Sequence, residues 1–298
     1  MRKILFSFVI LFSSFSYSQG CSDAGICSIG NGFSSVIDST KNQIEVGNVI
    51  GKGLEDVIYI SPYISYTRIL NNHFSLTTKF TFSQASGSFG TRGNVGDAFL
   101  IGNYKFSEKN NKQWSTLLGI KIPFTGSNDK INNFSLPLDY QSSLGTYDLF
   151  LGADFKYKNW NFNSAIQIPV INSNGNSYFD EYSASDDFPT TNLFERKSDL
   201  LLRSMYTFQS KSQKLTYKPN LLFIYHLGND TFEDIFGSRK EIKNSEGLTI
   251  NANFISNYKI NATNSIEASL AFPLLFREIR PDGLTRSLTL GINYKYSF

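Results

Sequence analysis

The segment Leu288–Phe298, LTLGINYKYSF, alternates between apolar and polar residues without a break. Leu, Leu, Ile, Tyr, Tyr and Phe occupy one set of alternate positions, and Thr, Gly, Asn, Lys and Ser occupy the other. Successive side chains of a β-strand point to opposite faces, so the segment predicts a strand with one apolar face. Its aromatic residues gather at one end of that face, which is typical of a lipid-facing strand near the headgroups.

The same alternation recurs along the chain, for example in YDLFLGADFKYK (Tyr147–Lys158). A soluble β-sandwich would also alternate in this way. Most of these segments are longer than the roughly 5–6 residues usual for strands of globular proteins, which favours strands that cross a membrane. We predict strands at 42–51, 56–70, 73–85, 95–107, 112–123, 144–158, 160–170, 197–209, 214–227, 247–259, 264–275 and 284–298.

The connections between these strands alternate in length. Short ones at 71–72, 108–111, 158–159, 210–213 and 260–263 alternate with longer polar ones at 86–94, 124–143, 171–196, 228–246 and 276–283. Outer-membrane barrels have short turns on the periplasmic side and long loops outside. The chain is therefore predicted to be an all-β, antiparallel, up-and-down transmembrane barrel of about 12 strands with both termini in the periplasm.

The N-terminus has the features of an export signal. Met1-Arg2-Lys3 precedes an apolar run that is too short to span a bilayer, followed by small residues at a predicted cleavage site after Ser18. We therefore predict a signal peptide at 1–18, a periplasmic segment at 19–41 and a barrel at 42–298. The segment holds both cysteines, Cys21 and Cys27, which predict a disulfide loop in an exported protein. A lipidated Cys21 is the alternative.

Phe298 ends the last predicted strand with an aromatic residue. We interpret it as a signal for the outer-membrane assembly machinery, which reads such terminal aromatics in barrel proteins generally. Together with the signal peptide, this predicts a location in the bacterial outer membrane, with outer-membrane lipid and the assembly machinery as partners.

Two neighbouring strands carry a family resemblance. Val95-Gly96-Asp97 with Gly102, Tyr104 and Phe106, and then Gly119–Pro123 (GIKIP), resemble the outer-membrane barrel family named for the meta-pathway of phenol degradation. Where that family has Pro-Thr-Gly, Phe124 separates Pro123 from Thr125-Gly126. Members are regarded as transporters of hydrophobic compounds, so the resemblance implies a barrel of that kind.

The polar parity of the strands predicts which side chains face the barrel lumen. Both signs of charge occur there, so we expect ion networks, and apolar residues of the same parity suggest a stretch suited to a hydrophobic solute. A lumen of 12 strands is expected to be narrow or partly plugged. The candidate lumen-lining residues are Lys79, Asp97, Phe99, Ile101, Lys105, Lys121, Asp148, Phe150, Asp154, Lys156, Asp199, Leu201, Arg203, Glu267 and Lys295.

The predicted function is a monomeric channel for a small, hydrophobic solute. The alternative is a non-transporting barrel whose long loops bind a partner or a surface. An enzyme is not expected, because neither His73 nor His226 accompanies a Gly-x-Ser-x-Gly motif.

No cofactor or metal is expected either. The acidic loop residues Asp180, Glu181, Asp186 and Asp187 lack calcium-loop spacing and are interpreted as a solvated loop. The net charge of +3 is too small, and the basic residues too scattered, to indicate a nucleic-acid partner.

Overall fold

The computed structural model describes residues 41–183, 187–282 and 288–298. The predicted signal peptide and the cysteine pair lie outside these ranges. Within them, no helix is long and apolar enough to cross a membrane. The described residues form twelve long strands: β1 (Asn42–Lys52), β2 (Ile58–Ile69), β3 (Phe74–Gly87), β4 (Gly90–Lys105), β5 (Lys112–Pro123), β6 (Thr146–Tyr157), β7 (Trp160–Asn172), β8 (Asp199–Tyr206), β9 (Leu215–His226), β10 (Gly247–Lys259), β11 (Asn264–Leu275) and β12 (Leu288–Ser297).

Each strand pairs antiparallel with its neighbours in sequence, and the first strand pairs with the last. Strand β1 meets β12 in a continuous register from Gln43↔Ser297 to Lys52↔Leu288. The short segment Phe208–Gln209 continues β8 along β9. The sheet is therefore closed, and the predicted twelve-stranded antiparallel barrel is confirmed.

Burial alternates along the strands as the sequence pattern predicts. In β12, residues from Leu288 to Tyr296 at even positions are exposed, while Thr289, Gly291 and the following odd positions are buried. In a closed single-layered barrel, the buried parity faces the interior and the exposed parity faces outward. Because the exposed parity is apolar on strand after strand, the outer wall forms a band suited to lipid.

The two ends of the barrel differ. We call the end that carries Asn42 and Phe298 the turn end, and the opposite end, which carries the long connections, the loop end. At the turn end, Phe298 exchanges two backbone hydrogen bonds with Asn42, at 2.9 and 3.0 Å. Outward aromatic side chains collect near this end, among them Trp114, Trp160 and Tyr296.

The predicted loop at 86–94 is wrong. Strands β3 and β4 continue to Gly87 and Gly90, which pair across a tight turn at Ser88-Phe89. Gly90 adopts a φ of +103°, a conformation that glycine reaches without a steric penalty. The sequence lacks a strand-like alternation there because this part of the hairpin extends past the apolar band, so its outward residues need not be apolar.

The described parts of the long loops pack on the loop end. Those at 124–145 and 173–198 meet the tip of the β3–β4 hairpin in an aromatic cluster, where the Phe89 ring lies 5.7 Å from Tyr140 and 5.7 Å from Phe188 between centroids. A second cluster joins Leu138, Leu144, Phe194 and Ile242. Several loops thus share two small apolar cores and form a layer over the strand ends, which we call the loop layer.

Candidate functional site: the barrel interior

One side of the interior wall carries a band of apolar side chains. Its members are buried, come from the six adjacent strands β4–β9, and form one contiguous cluster, the apolar belt: Phe99, Ile101, Leu117, Phe150, Ala165, Leu201 and Leu222. The rings of Phe99 and Phe150 lie 6.2 Å apart, and Gly119 sits between their strands. Because the inward positions of neighbouring strands are in register, a period-two pattern on each strand becomes a continuous band across them.

A row of polar side chains borders the belt toward the loop end. It crosses β5–β9 and comprises Lys121, Asp148, Gln167, Asp199 and His226, which we call the loop-side row. The Lys121 ammonium is completely buried, 2.9 Å from Asp148 Oδ2 and 4.0 Å from Asp97 Oδ2, and donates to Thr146 Oγ1 at 3.0 Å. Gln167 donates to the same Asp148 oxygen. The row is therefore largely neutralised within the wall.

A second polar row borders the belt toward the turn end. It follows the register Ser115↔Asp154↔Asn163↔Arg203 across β5–β8. Asn163 donates to Asp154 Oδ1, and Ser115 donates to Asp154 Oδ2 at 3.4 Å. The apolar belt is thus enclosed by hydrogen-bonded polar rows on both sides.

The opposite wall, formed by β10–β12 and β1–β3, is polar. Lys295 contacts Glu267 at 3.0 Å and Glu45 at 3.6 Å, bridging three adjacent strands. Tyr63 donates to Glu45 at 2.5 Å, and its ring lies under the Lys79 ammonium, 3.9 Å from the centroid. These contacts hold the charges of this wall in internal networks.

Tyr63 also needs a glycine opposite it. A Cβ built on Gly47 would come within 2.5 Å of the Tyr63 ring, so no larger residue fits without moving that ring. The absence of a side chain at Gly47 therefore leaves the space that the Tyr63 ring occupies.

The loop layer is joined to the strand ends by a buried ionic cluster. His226 lies between two carboxylates, with Nδ1 2.6 Å from Asp199 Oδ1 and Nε2 2.8 Å from Asp230 Oδ1. Carboxylate oxygens accept hydrogen bonds, so this geometry suits a doubly protonated ring. Arg196 pairs with Asp199 and, at 3.6 Å, with Asp282.

Arg277 extends this cluster, 2.9 Å from Asp282 and 3.9 Å from Asp230. Because Arg196, Asp230 and Arg277 come from three different loops, their ion pairs tie those loops to one another and to the ends of β8 and β9.

Electrostatics in the loop layer follow from this burial. Burial alone would raise the pKa of Asp282, but the charges of Arg277 and Arg196 hold that pKa below its usual range. The opposite holds for Asp139, whose pKa burial raises to about 7, with the nearby charge of Asp282 adding to the effect. Tyr59 donates to Asp139 at 3.3 Å. Asp139 is thus a carboxyl of the loop layer whose pKa lies near neutral pH.

The structure places most candidate lumen residues on the buried parity. Phe99, Ile101, Phe150 and Leu201 lie in the apolar belt. The following charged candidates are buried in the networks and rows of the interior: Lys79, Asp97, Lys121, Asp148, Asp154, Asp199, Arg203, Glu267 and Lys295. Lys105 is half-buried, and Lys156 is exposed because it lies next to the turn end of β6.

The sequence reasoning missed the residues that the loops bring in. Arg196, Asp230, Arg277 and Asp282 lie outside the strands, where no period marks a buried position. It also missed Leu117, Ala165 and Leu222, although each has the inward parity of its strand. The alternation along their strands is a sufficient signal to predict that these three residues face the interior.

A polar ladder in the loop at 173–198 was also not foreseen. The side-chain oxygens of Asn172, Asn174 and Asn176 each accept from the backbone N–H two residues later, at 2.9–3.1 Å. The repeated Asn in INSNGNSY is the sequence signal for such turns. Asn174 and Asn176 are buried, so the loop satisfies its own backbone while it packs inward.

The acidic loop residues do not converge on a metal site in the described part of the chain. The Thr190 hydroxyl donates to Asp180, and its oxygen lies 3.2 Å from Glu181 Oε2, so both carboxylates gather around this threonine on the loop surface. Asp187 is exposed, and Asp186 lies outside the described residues.

Comparisons with known proteins bear on the fold. No family model matches the chain, and no curated protein matches its sequence. The crystal structure of an outer-membrane channel from Pseudomonas putida F1 superposes with a TM-score of 0.60 at 15% identity, covering 90% of this chain and 98% of the other. The translocator domain of the autotransporter NalP from Neisseria meningitidis gives 0.51 at 7% identity, covering 91% and 93%.

At these identities, the likeness establishes a shared fold. A closed barrel with an apolar outer band is the architecture of bacterial outer-membrane proteins, and this chain is located in that membrane. The resemblance of Val95–Pro123 to the phenol meta-pathway family stays a prediction, since no family model matches.

Proposed function

We propose that the barrel is a channel that binds and passes a small hydrophobic solute. The apolar belt is the observation that supports this proposal. The lumen of a water-filled porin is polar, whereas this interior carries two phenylalanine rings and several aliphatic side chains across half of its wall. A solute with little polar surface would gain free energy from contact with the belt.

The rows that border the belt limit the kind of solute. The belt occupies one or two inward positions on each strand, which corresponds to roughly 7–13 Å along the wall. Lys121 and Asp148 neutralise each other at the loop-side border, and Asp154 is hydrogen-bonded at the other. The interior thus favours a compact, uncharged molecule over a long chain or an ion.

The proposal includes an orientation and a chemical role. We place the turn end in the periplasm and the loop layer outside, so the solute meets the loop layer first. The role is non-enzymatic: both nitrogens of His226 contact carboxylates, and the ring of His73 contacts the Lys105 carbonyl at 2.7 Å.

Planar-bilayer conductance and uptake of an aromatic probe into vesicles test this function together. We expect a small conductance with measurable uptake. Leu201→Asn puts an amide into the belt and is expected to reduce uptake severalfold. Ala271→Asn puts the same amide on the polar wall and is expected to leave uptake unchanged. Large, steady ohmic conductance without probe uptake would instead identify a general porin.

A second candidate function is binding of a partner by the loop layer. Three aromatic side chains stand at its surface, with exposed fractions of 85% for Phe236, 72% for Phe134 and 71% for Tyr182. Such side chains are suited to a protein interface. Phe236→Ser with Phe134→Ser is expected to abolish binding of cells to a surface or partner without changing uptake, and unaffected binding would remove this candidate.

A further inference from the structure

The outer wall carries a depression on its lipid-facing surface. Its floor consists of the small outward residues Ala153 on β6, Ser164 on β7 and Ser204 on β8. Ala153 and Ser164 are paired across neighbouring strands. The depression has a volume of about 520 Å³, which lies within the roughly 300–1,000 Å³ typical of ligand pockets.

Large apolar side chains surround this floor. Trp114, Phe155, Phe162, Leu202 and Phe223 line the sides of the depression, and Asn163 and Arg203 complete its lining. The rings of Trp114 and Phe155 pack against each other with centroids 4.5 Å apart. Small residues ringed by large apolar ones thus form a groove on the outer wall.

The groove lies in the half of the apolar band near the turn end. Ala153 is four residues from Tyr157, the last residue of β6, and Ser164 is four residues from Trp160, the first of β7. With a rise of about 3.3 Å per residue and a strand tilt of about 40°, these positions are about 10 Å above the turn end. This depth corresponds to acyl chains, below the level of the headgroups.

We propose that this groove binds one acyl chain of a phospholipid in the leaflet at the turn end. An unfilled groove would deprive the aromatic rings of contact partners, and acyl chains are the molecules that surround this surface in the membrane. The floor of the groove extends over three small residues on adjacent strands, and large apolar side chains line its sides. The periplasmic identity of the leaflet rests on the orientation given under the proposed function, whereas the site itself does not.

A chain in the groove would also support the wall that carries the apolar belt. Ser164 and Leu202 face the groove, while their neighbours Ala165 and Leu201 face the interior. At this level β8 therefore presents a leucine on each face, Leu201 inward and Leu202 outward. A bound lipid would fill the outer side of the wall where the belt covers the inner side.

Trp114 and Trp160 are the two tryptophans of the chain, so Trp160→Phe leaves a single reporter in the groove. The full-length barrel with this change, held in excess detergent, is titrated with a phospholipid brominated on its acyl chains, which quenches nearby tryptophan. We expect saturable quenching at about one lipid per barrel. Quenching that rises linearly without saturation would overturn the proposal.

Two matched variants sharpen the test. Ala153→Phe fills the groove and is expected to raise the lipid concentration for half-maximal quenching at least about tenfold. Ala268→Phe adds the same ring at an exposed outward alanine on β11 and is expected to leave the titration unchanged. Identical curves for both variants would refute the site. A dimer in detergent that Ala153→Phe dissociates would assign the groove to a second copy of the chain instead. None of these outcomes depends on whether the barrel transports a solute.

Discussion

Replacing Lys121 with methionine is expected to destabilise the barrel strongly. The change keeps the length of the side chain and removes its charge, which leaves Asp148, itself without solvent exposure, beside an apolar group. Gln167 would remain as a donor to that carboxylate. Breaking a buried ion pair by removing one partner costs about 3–5 kcal/mol, because the remaining charge is buried without compensation. We expect a loss of that size in the free energy of unfolding.

A double variant separates the free energy of the Lys121–Asp148 ion pair from the effects of changing each residue alone. Lys121→Met combined with Asp148→Asn removes both charges and retains a polar group near Gln167. Replacing a whole buried pair is often nearly neutral, so the double variant is expected to lose less than the single one. The coupling free energy should then be about 2–3 kcal/mol.

Urea unfolding of the barrel in lipid vesicles, followed by tryptophan fluorescence and by heat-modifiable gel mobility, measures these values. Lys105→Met is the control, since Lys105 is half-buried and near the turn end; a change of under about 1 kcal/mol is expected there. The reasoning fails if Lys121→Met lowers the free energy of unfolding as little as Lys105→Met does. It also fails if the loss in the double variant equals the sum of the losses in Lys121→Met and Asp148→Asn.

Three further perturbations test other parts of the structure. Leu270→Arg, on the outer wall, should cost about 2–4 kcal/mol near the bilayer midplane, and Ser269→Arg, facing the interior, should cost much less; equal losses in the same urea assay would contradict the assigned faces. The pKa of Asp139 rises from an ordinary 3.8 to about 7, so its ionisation weakens the loop layer increasingly from pH 4 to 7. Asp139→Asn should therefore protect the layer against proteolysis above pH 7 and change nothing below pH 4. Phe89→Ala removes the ring shared by the aromatic cluster and should cost about 1–3 kcal/mol of local stability, seen as faster hydrogen exchange in residues 134–140.

The strands could be predicted because membrane insertion imposes one simple rule on them. Every outward residue must tolerate lipid, so the alternation from Leu288 to Tyr296 gives both the strand and its faces. The β3–β4 hairpin shows the limit of this rule. Where the strands leave the band, lipid no longer selects the outward residues, and the stretch around Gly90 looks like a loop.

The interior could be predicted only in part. Parity identifies inward residues such as Phe150, but it does not say which of them meet across strands. The contacts of Arg196 with Asp282 depend on loops that are far apart in sequence and packed by apolar clusters of their own. Neither a period nor a motif encodes such contacts, so a single sequence gives no access to them.

The seam between β1 and β12 has a consequence for folding kinetics. Asn42 and Phe298, which hydrogen-bond across it, are 256 residues apart in the chain. Contacts between such distant residues form slowly, because the chain must lose the entropy of closing a very long loop before the contacts contribute any favourable free energy. Until β12 arrives, β1 and the most recently added strand both remain open edges that can pair with another polypeptide. The closure of this seam is therefore expected to be the rate-limiting step of folding, and the interval before it is when the chain most needs protection from aggregation.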